Sequence, residues 1–277
     1  MKAYIESPAK VTPELFTEIY AKISNDIKHY NVIFVLKDKR CASGTLVTIN
    51  GYHGILTAHH VAEPVMNERE VGLCIAEKAH GLLLRTAHCQ HVPIGIPKNE
   101  FSPELGPDLS FIIIRDVKLL ETLRSIKSFC NLEKRDLEYF ESPLNKMSWF
   151  ISGSPFEASA QIETSPNNEL VKFQNFIGHA TFHSQTEDEG FDFFKLIVPS
   201  GQGNFPINCK GMSGGGMWLV PITIEDENNL DTIRNEIPIL AGVSFCQSAV
   251  KNDERIITGH SYKSIYFRLR ETLNGLK

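Results

Sequence analysis

The sequence predicts a chain dominated by antiparallel β-structure, in two β halves with a helix at each end. Short runs rich in β-branched residues recur between turn residues, and no helical pattern separates them within either half. Apolar positions at helical spacing occur only near the two termini and once in the middle. Thr12-Pro13-Glu14 supplies a hydroxyl N-cap, a proline at the first helical position and an acid in the first turn. Leu15, Ile19, Ile23 and Ile27 follow as one apolar stripe, so residues 1–30 read as an N-terminal helical extension.

From Val32 the period changes. Val32 to Leu36, Gly44 to Ile49, Gly54 to Ala58, Val71 to Ala76, Gly81 to Thr86 and Leu109 to Ile114 read as strands of a first unit, 31–116. Short strands so spaced close into an antiparallel barrel or pack as a sandwich. Leu119, Leu120, Leu123, Ile126, Phe129 and Cys130 place a helix in a linker, 117–146, whose polar part from Glu133 to Lys146 reads as a connector. Met147 to Ile151, Val171 to Phe173, Phe193 to Val198, Gly216 to Val220, Pro238 to Cys246 and Arg255 to Thr258 give a second unit, 147–260. Ile265, Leu269 and Leu273 line a closing helix in 261–277, with Gly275 as its C-cap. Asn167 to Glu169, Thr186 to Gly190 and Glu225 to Asn229 are expected as exposed loops.

At 277 residues, 42% hydrophobic and 22% charged, the composition is that of a globular protein with a sizeable core. Lys and Arg are scattered and the formal charge is −5, so no basic stripe suggests nucleic acid or an acidic membrane surface. No apolar run nears the roughly 18 residues of a spanning helix, and the N-terminus lacks the apolar segment of a secretory signal. A cytoplasmic protein is expected. Its six dispersed cysteines, with no C-x-x-C pair, are then expected to be reduced and mostly buried.

The chemistry centres on Gly211-Met212-Ser213-Gly214-Gly215, just before the apolar run from Gly216. The glycines permit a sharp turn and close approach of a substrate carbonyl. They also leave the N–H groups of Gly211 and Ser213 free to face a developing oxyanion. Such a string is also a common turn; as a nucleophile, Ser213 needs a base and a group to orient that base. The strand Ile55 to Ala58 runs into His59 and His60, and histidine is the usual base near neutral pH, though at a strand end it also serves structure. Gly106-Pro107-Asp108 puts a carboxylate where a turn enters an apolar strand; its plainer reading is a turn residue. The order is His, Asp, Ser, the first two in one half and the third in the other.

That order resembles the trypsin-like (chymotrypsin-fold) serine peptidases. The likeness rests on Leu56-Thr57-Ala58-His59-His60-Val61 for the family's T-A-A-H, Asp108-Leu109-Ser110-Phe111 for D-[LI]-A-[LV], and Gly211 to Gly215 for G-D-S-G-G. It implies two antiparallel six-stranded β-barrels with the site in the cleft between them, extended here by N- and C-terminal helices. It further implies His60, not His59, as general base, Asp108 as its orienting group and Ser213 as nucleophile. Gly211 and Ser213 would form the oxyanion hole. Leu240 to Cys246 resembles the strand that pairs with substrate backbone and walls the primary pocket through Ser244, Phe245 and Cys246. The activity implied is a serine endopeptidase acting on protein or peptide through an acyl-enzyme, with no cofactor and no metal.

Departures from the pattern carry their own expectations. Met212 replaces the aspartate that pairs with a newly cut N-terminus in activated zymogens, so activation by N-terminal cleavage is not expected. Val61 stands where secreted members often carry a disulfide cysteine, and the position near Val250 offers Cys209 no partner. Gly216, in place of the usual proline, is expected to matter little. The pocket-floor position falls on Ile207, between Pro206 and Asn208, so a small or apolar side chain is expected before the scissile bond rather than Lys or Arg. Met212 also keeps a second reading open: a catalytically silent domain used as a protein-binding module, its oxyanion loop waiting for a partner or a substrate. For the active reading, regulation by a partner docked on the terminal helices, or by substrate-induced ordering, is expected. His88-Cys89-Gln90-His91, and His179 with His183, match no closed four-ligand zinc set. His53 reads as a surface or turn residue, and no Gly-Lys-Ser/Thr follows Gly211 to Gly216 to cradle a phosphate.

Overall fold

The β-branched runs pair into antiparallel ladders in a computed structural model of the chain. It describes residues 3–4, 13–37, 41–75, 81–97, 106–134, 140, 144, 147–158, 160–165, 168–203, 205–224, 233–235 and 237–276. A short strand β1 (Ala3–Tyr4) precedes helix α1 (Pro13–Lys28). The first half then contains β2 (Asn31–Val35), β3 (Cys41–Ile49), β4 (Tyr52–Thr57), helix α2 (His59–Asn67), β5 (Glu70–Cys74), β6 (Gly81–Arg85), β7 (Cys89–Gly95) and β8 (Leu109–Ile114). Helix α3 (Val117–Ile126) and the short β9 (Cys130–Asn131) lead out of it.

The second half comprises β10 (Ser148–Gly153), the hairpin β11 (Ala160–Ser165) and β12 (Asn168–Lys172), then β13 (Phe176–Asp188) and β14 (Phe191–Pro199). After the glycine turn come β15 (Gly216–Val220), β16 (Ile222–Ile224), β17 (Ile233–Asn235), β18 (Ile239–Gln247) and β19 (Glu254–His260). A wide helical turn, Lys263–Arg268, runs into α4 (Leu269–Asn274).

One of the two expected barrels is closed. In the second half the strands pair in the ring β10-β13-β14-β19-β18-β15, and β15 returns to β10. The first half is instead a curled sheet ordered β6-β5-β2-β3-β4-β8-β7, with β9 alongside β3. Its two edge strands are consecutive in the chain, separated by the 3-10 turn Thr86–His88. At that turn Thr86 N–H donates to Arg69 O and Arg115 N–H to His88 O. The backbone thereby leaves the ladder, so one strand is split into a part that pairs with β5 and a part that pairs with β8. Also unexpected from the sequence are α2, β7, β11 and the whole of β13, along with the short strands β1, β9, β16 and β17. The expected loop at Thr186 to Gly190 shrinks to Glu189 and Gly190, both at positive φ (49 and 77°), because β13 and β14 pair as far as Asp188 and Phe191. Asn168 and Glu169, expected in a loop, belong to β12. Asn167, Glu225 to Asn229 and most of the connector 133–146 lie outside the described residues.

Both terminal helices use their apolar stripes inside the chain. Ile23 and Ile27 of α1 are fully buried and share one core with Ile265, Leu269 and Leu273, together with Val47, Leu56, Trp218 and Val243 from the two β halves. Burying each of these aliphatic side chains is worth about 2 kcal/mol, so these faces are occupied and any partner of the helices would meet their polar sides. No helix among the described residues is long and apolar enough to cross a membrane. The C-terminal helix starts where it does because Asp192, on β14, caps it from outside. The Asp192 carboxylate accepts from Lys263 N–H (3.0 Å), Ser264 N–H (2.7 Å) and Ser264 Oγ–H (2.7 Å).

Substituting Asp192→Ala is expected to lower stability by about 2 kcal/mol, the upper range for loss of a helix cap. Urea unfolding with Asp192→Asn as the milder control checks this; an unchanged midpoint for the alanine variant would show that the cap is dispensable.

Candidate active site

The local sequence around each predicted residue explains its position. Ala58 leaves β4 in an extended conformation (φ −66°, ψ 148°) and becomes the N-cap of α2, without a side-chain cap of its own. The missing cap comes from a residue 48 positions away: His60 N–H donates to Asp108 Oδ1 at 2.9 Å. A carboxylate suits the positive end of a helix, so the same group that anchors α2 also meets the His60 ring. His60 Nδ1 lies 2.5 Å from Asp108 Oδ2. The Asp108 side chain is fully buried, whereas that of His60 is 45% exposed. Burial pushes the Asp108 carboxyl up, but the His60 ring hydrogen bond, its charge and its amide outweigh this and hold it below the usual carboxylate range.

Asp108 is pinned from the second half as well. Its N–H donates to His260 Nε2 at 2.8 Å. His260, the last residue of β19, is fully buried among the rings of Phe191, Phe193 and Phe245, at centroid distances of 5.6, 5.0 and 5.1 Å. Burial lowers its pKa to about 3. Its acceptor Nε2 therefore leaves the proton on Nδ1, which has no hydrogen-bond partner among the described residues. His59, the neighbour not chosen as base, faces away from this pair: its Nδ1 meets Ser110 Oγ (2.9 Å), and His91 Nε2 meets the same hydroxyl (3.0 Å). That contact takes His91 out of the histidine-cysteine tract considered for metal, while His88 stays in the 3-10 turn. Among the described residues no group of three or more potential ligands is placed to hold a metal ion. His179 and His183 sit on β13, and His53 is held by the Arg124 guanidinium (2.7 Å).

The glycine turn is held from both halves. Ser43 on β3 donates through Oγ to Gly211 O (2.7 Å) and through its N–H to Ser213 O (3.1 Å). Gly211 and Gly214 have φ of +92 and +89°. A Cβ at Gly214 would meet Ser43 O and Thr57 Oγ1 at 2.0 Å, so side chains are excluded by space as well as by backbone conformation. Met212, which stands where an aspartate was expected, is buried beside Cys209 and Ile151. The turn is thus anchored by packing where the family pattern has an ion pair.

Backbone hydrogen bonds decide which amides face the cleft. Within 209–215, Cys209 N–H donates to Gln247 Oε1, Lys210 N–H to Asn208 Oδ1, Met212 N–H to Cys209 O, Gly214 N–H to Ser244 O and Gly215 N–H to Met212 O. The N–H groups of Gly211 and Ser213 donate to no acceptor among the described residues. Their peptide planes are fixed through the carbonyls. Lys210 O accepts from Phe156 N–H (2.7 Å), and Met212 O accepts from Gly215 N–H (2.9 Å) and Ser244 Oγ–H (3.0 Å). In a trans peptide C=O and N–H point in opposite directions, so both amides are turned outward together.

Ser213 is half-buried, and its hydroxyl donates to Phe245 O at 3.3 Å; no hydrogen bond joins it to His60. Of the predicted substrate strand, the Phe245 carbonyl therefore lies beside Ser213. The Ser244 hydroxyl is taken by Met212 O and Gly215 O, and Cys246 follows on β18, half-buried, past a bulge. Ile207, predicted at a pocket floor, has a 68% exposed side chain, while its backbone is tied to Glu157 and Arg255. Nothing in the local sequence marks His260, Phe156, Gln247 or Arg255, because each acts on a segment far from it in the chain.

No protein-family model matches the chain, and no curated protein matches it by sequence. Among solved structures it is similar to one described as the HtrA-type protease AlgW with tripeptide, at 13% identity and a TM-score of 0.45. The alignment covers 92% of this chain and 64% of that one, so the chain spans under two thirds of that protein's length.

His260 sets an acid limit on stability. With a folded pKa near 3, against about 6.5 unfolded, only the unfolded chain takes this proton as pH falls through that window. Its contribution is whole above pH 6.5 and falls by about 1.4 kcal/mol per pH unit below it. His260→Gln keeps an acceptor for Asp108 N–H but does not titrate. Its loss of urea stability from pH 7 to pH 5 should be about 2 kcal/mol smaller than that of the wild type; equal losses would contradict this.

Proposed function

We propose that the chain is a serine endopeptidase in which Ser213 attacks the scissile carbonyl, His60 is the general base and Asp108 holds His60 in place. The observation that carries this reading is the pair of outward amides. In a turn where every other N–H of 209–215 has an acceptor, Gly211 and Ser213 have none among the described residues, and two free donors flanking Met212, one of them on the serine itself, suit a developing oxyanion. The His60–Asp108 pair adds the base. Asp108 Oδ2 accepts a hydrogen bond from His60 Nδ1–H, which leaves Nε2 as the acceptor.

The first event is rotation of the Ser213 side chain from Phe245 O to His60 Nε2. Active-site hydrogen bonds are often incomplete until substrate arrives. The substrate N–H next to the scissile bond then takes the vacated Phe245 carbonyl. As Oγ bonds to the carbonyl carbon, its proton passes to Nε2 and the oxyanion is held by Gly211 and Ser213 N–H. Asp108 stabilises the imidazolium, which gives its proton to the departing amine. Water, activated by the same imidazole, hydrolyses the acyl-enzyme. The six dispersed cysteines suit action in a reducing compartment such as the cytosol. Because the oxyanion turn is held open by its own bonds, control by a partner or by substrate is proposed to act on the Ser213 hydroxyl.

One observation favours the silent binding module: the Ser213 hydroxyl is bonded to Phe245 O rather than to His60. Labelling with an alkyl fluorophosphonate separates the two readings. The wild type is expected to label and Ser213→Ala not; His60→Ala and Asp108→Asn should react on the order of a thousand-fold more slowly. A wild type that does not label, or that labels equally as Ser213→Ala, would leave the binding module standing.

A further inference from the structure

We propose that the side chains of Gln247 and Arg255 plug the primary specificity pocket, so that only a small residue, Gly, Ala or Ser, is accepted before the scissile bond. The inference rests on the endopeptidase reading above. With the oxyanion at Gly211 and Ser213 and a substrate N–H on Phe245 O, the side chain next to the scissile carbonyl must enter between two segments. One is 207–210, leading into the nucleophile; the other is 246–248, at the end of β18.

That space is bridged by protein. Gln247 reaches from β18 to the opposite wall, where its Oε1 accepts from Cys209 N–H (3.0 Å) and its Nε2 donates to Asn208 Oδ1 (2.9 Å). Arg255, arriving from β19, lies below it. Its Nη2 donates to Ile207 O (2.6 Å) on one wall, and its Nη1 donates to Ser248 O (3.1 Å) on the other and to Gln247 Oε1. Both walls are therefore tied to the same two side chains. Arg255 is only 8% exposed, and its Nε is buried without a hydrogen-bond partner among the described residues. A guanidinium N–H at the base of an open pocket would reach water; one left dry and unpaired marks filled space. Glu157 tightens the floor further by accepting from Ile207 N–H (2.6 Å) and Asn208 N–H (2.9 Å). The plug explains why Ile207 stands in solvent: the pocket it was expected to floor is occupied by other residues.

Size, then, and not polarity, sets the preference. A large residue would have to break at least the two Gln247 bonds across the cleft, and a misfit of one to a few methylenes alone discriminates by about 10–200-fold. The test is a peptide library varied only at the residue before the scissile bond, with wild type and Gln247→Ala, and a fluorophosphonate label on the wild type. Expected are wild-type cleavage after Gly, Ala or Ser, and for Gln247→Ala a rise of about tenfold or more in kcat/KM for Leu or Phe relative to Ala. Should Gln247→Ala fail to fold by thermal melting, Asn208→Ala, which cuts one of the two ties, must shift the same ratio upward, and the wild-type profile alone remains decisive. A wild type that labels but prefers Leu, Phe, Lys or Arg overturns the plug. So does preference for Asp or Glu, which would place an open Arg255 guanidinium at the pocket base, or labelling without cleavage after any small residue. A wild type that neither labels nor cleaves overturns the endopeptidase reading instead.

Discussion

The hydrogen bond from Phe156 N–H to Lys210 O fixes one peptide plane, and through it the direction of the Gly211 amide. Its counterpart at Met212 O does the same for Ser213. Peptide planarity converts two bonds behind the turn into two donors in front of it. In the family pattern an aspartate next to the serine contributes to this arrangement by pairing with a charge; here a buried methionine fills the space and the backbone does the orienting. Burying Met212 anchors the turn by packing worth about 1.5–3 kcal/mol.

The same economy of shared groups joins the two β halves. Asp108 caps α2, orients His60 and is itself held by His260 across the cleft. Ser43 grips two carbonyls of the glycine turn, those of Gly211 and Ser213, from the first half. Neither half positions its residues alone, so the packing of α1 and α4 against both halves bears directly on the site.

The sequence made three residues legible because short-range chemistry marks them. Thr57 and Ala58 before the histidines, the turn before Asp108 and the glycines around Ser213 each constrain the backbone within a few positions. What was not legible depends on distant segments. Pro64 hid α2, since proline inside a helix reads as a break. The 3-10 turn at Thr86–His88, which splits one strand, left no clear pattern in the residues around it, so a second closed barrel was expected in place of a curled sheet. Ile207 illustrates the same boundary: its place along the chain was readable, whereas the Gln247 and Arg255 side chains that fill the space beside it arrive from β18 and β19.

Amide spectroscopy tests most directly whether Gly211 and Ser213 are preset donors. With backbone ¹⁵N labelling, the spectrum would be recorded before and after a peptide boronic acid forms its anionic adduct on Ser213. Within 209–215, large downfield proton shifts are expected at Gly211 and Ser213 alone, since the remaining amides already have acceptors. A stable adduct that left the Gly211 amide unmoved would contradict the outward orientation set by Lys210 and Phe156.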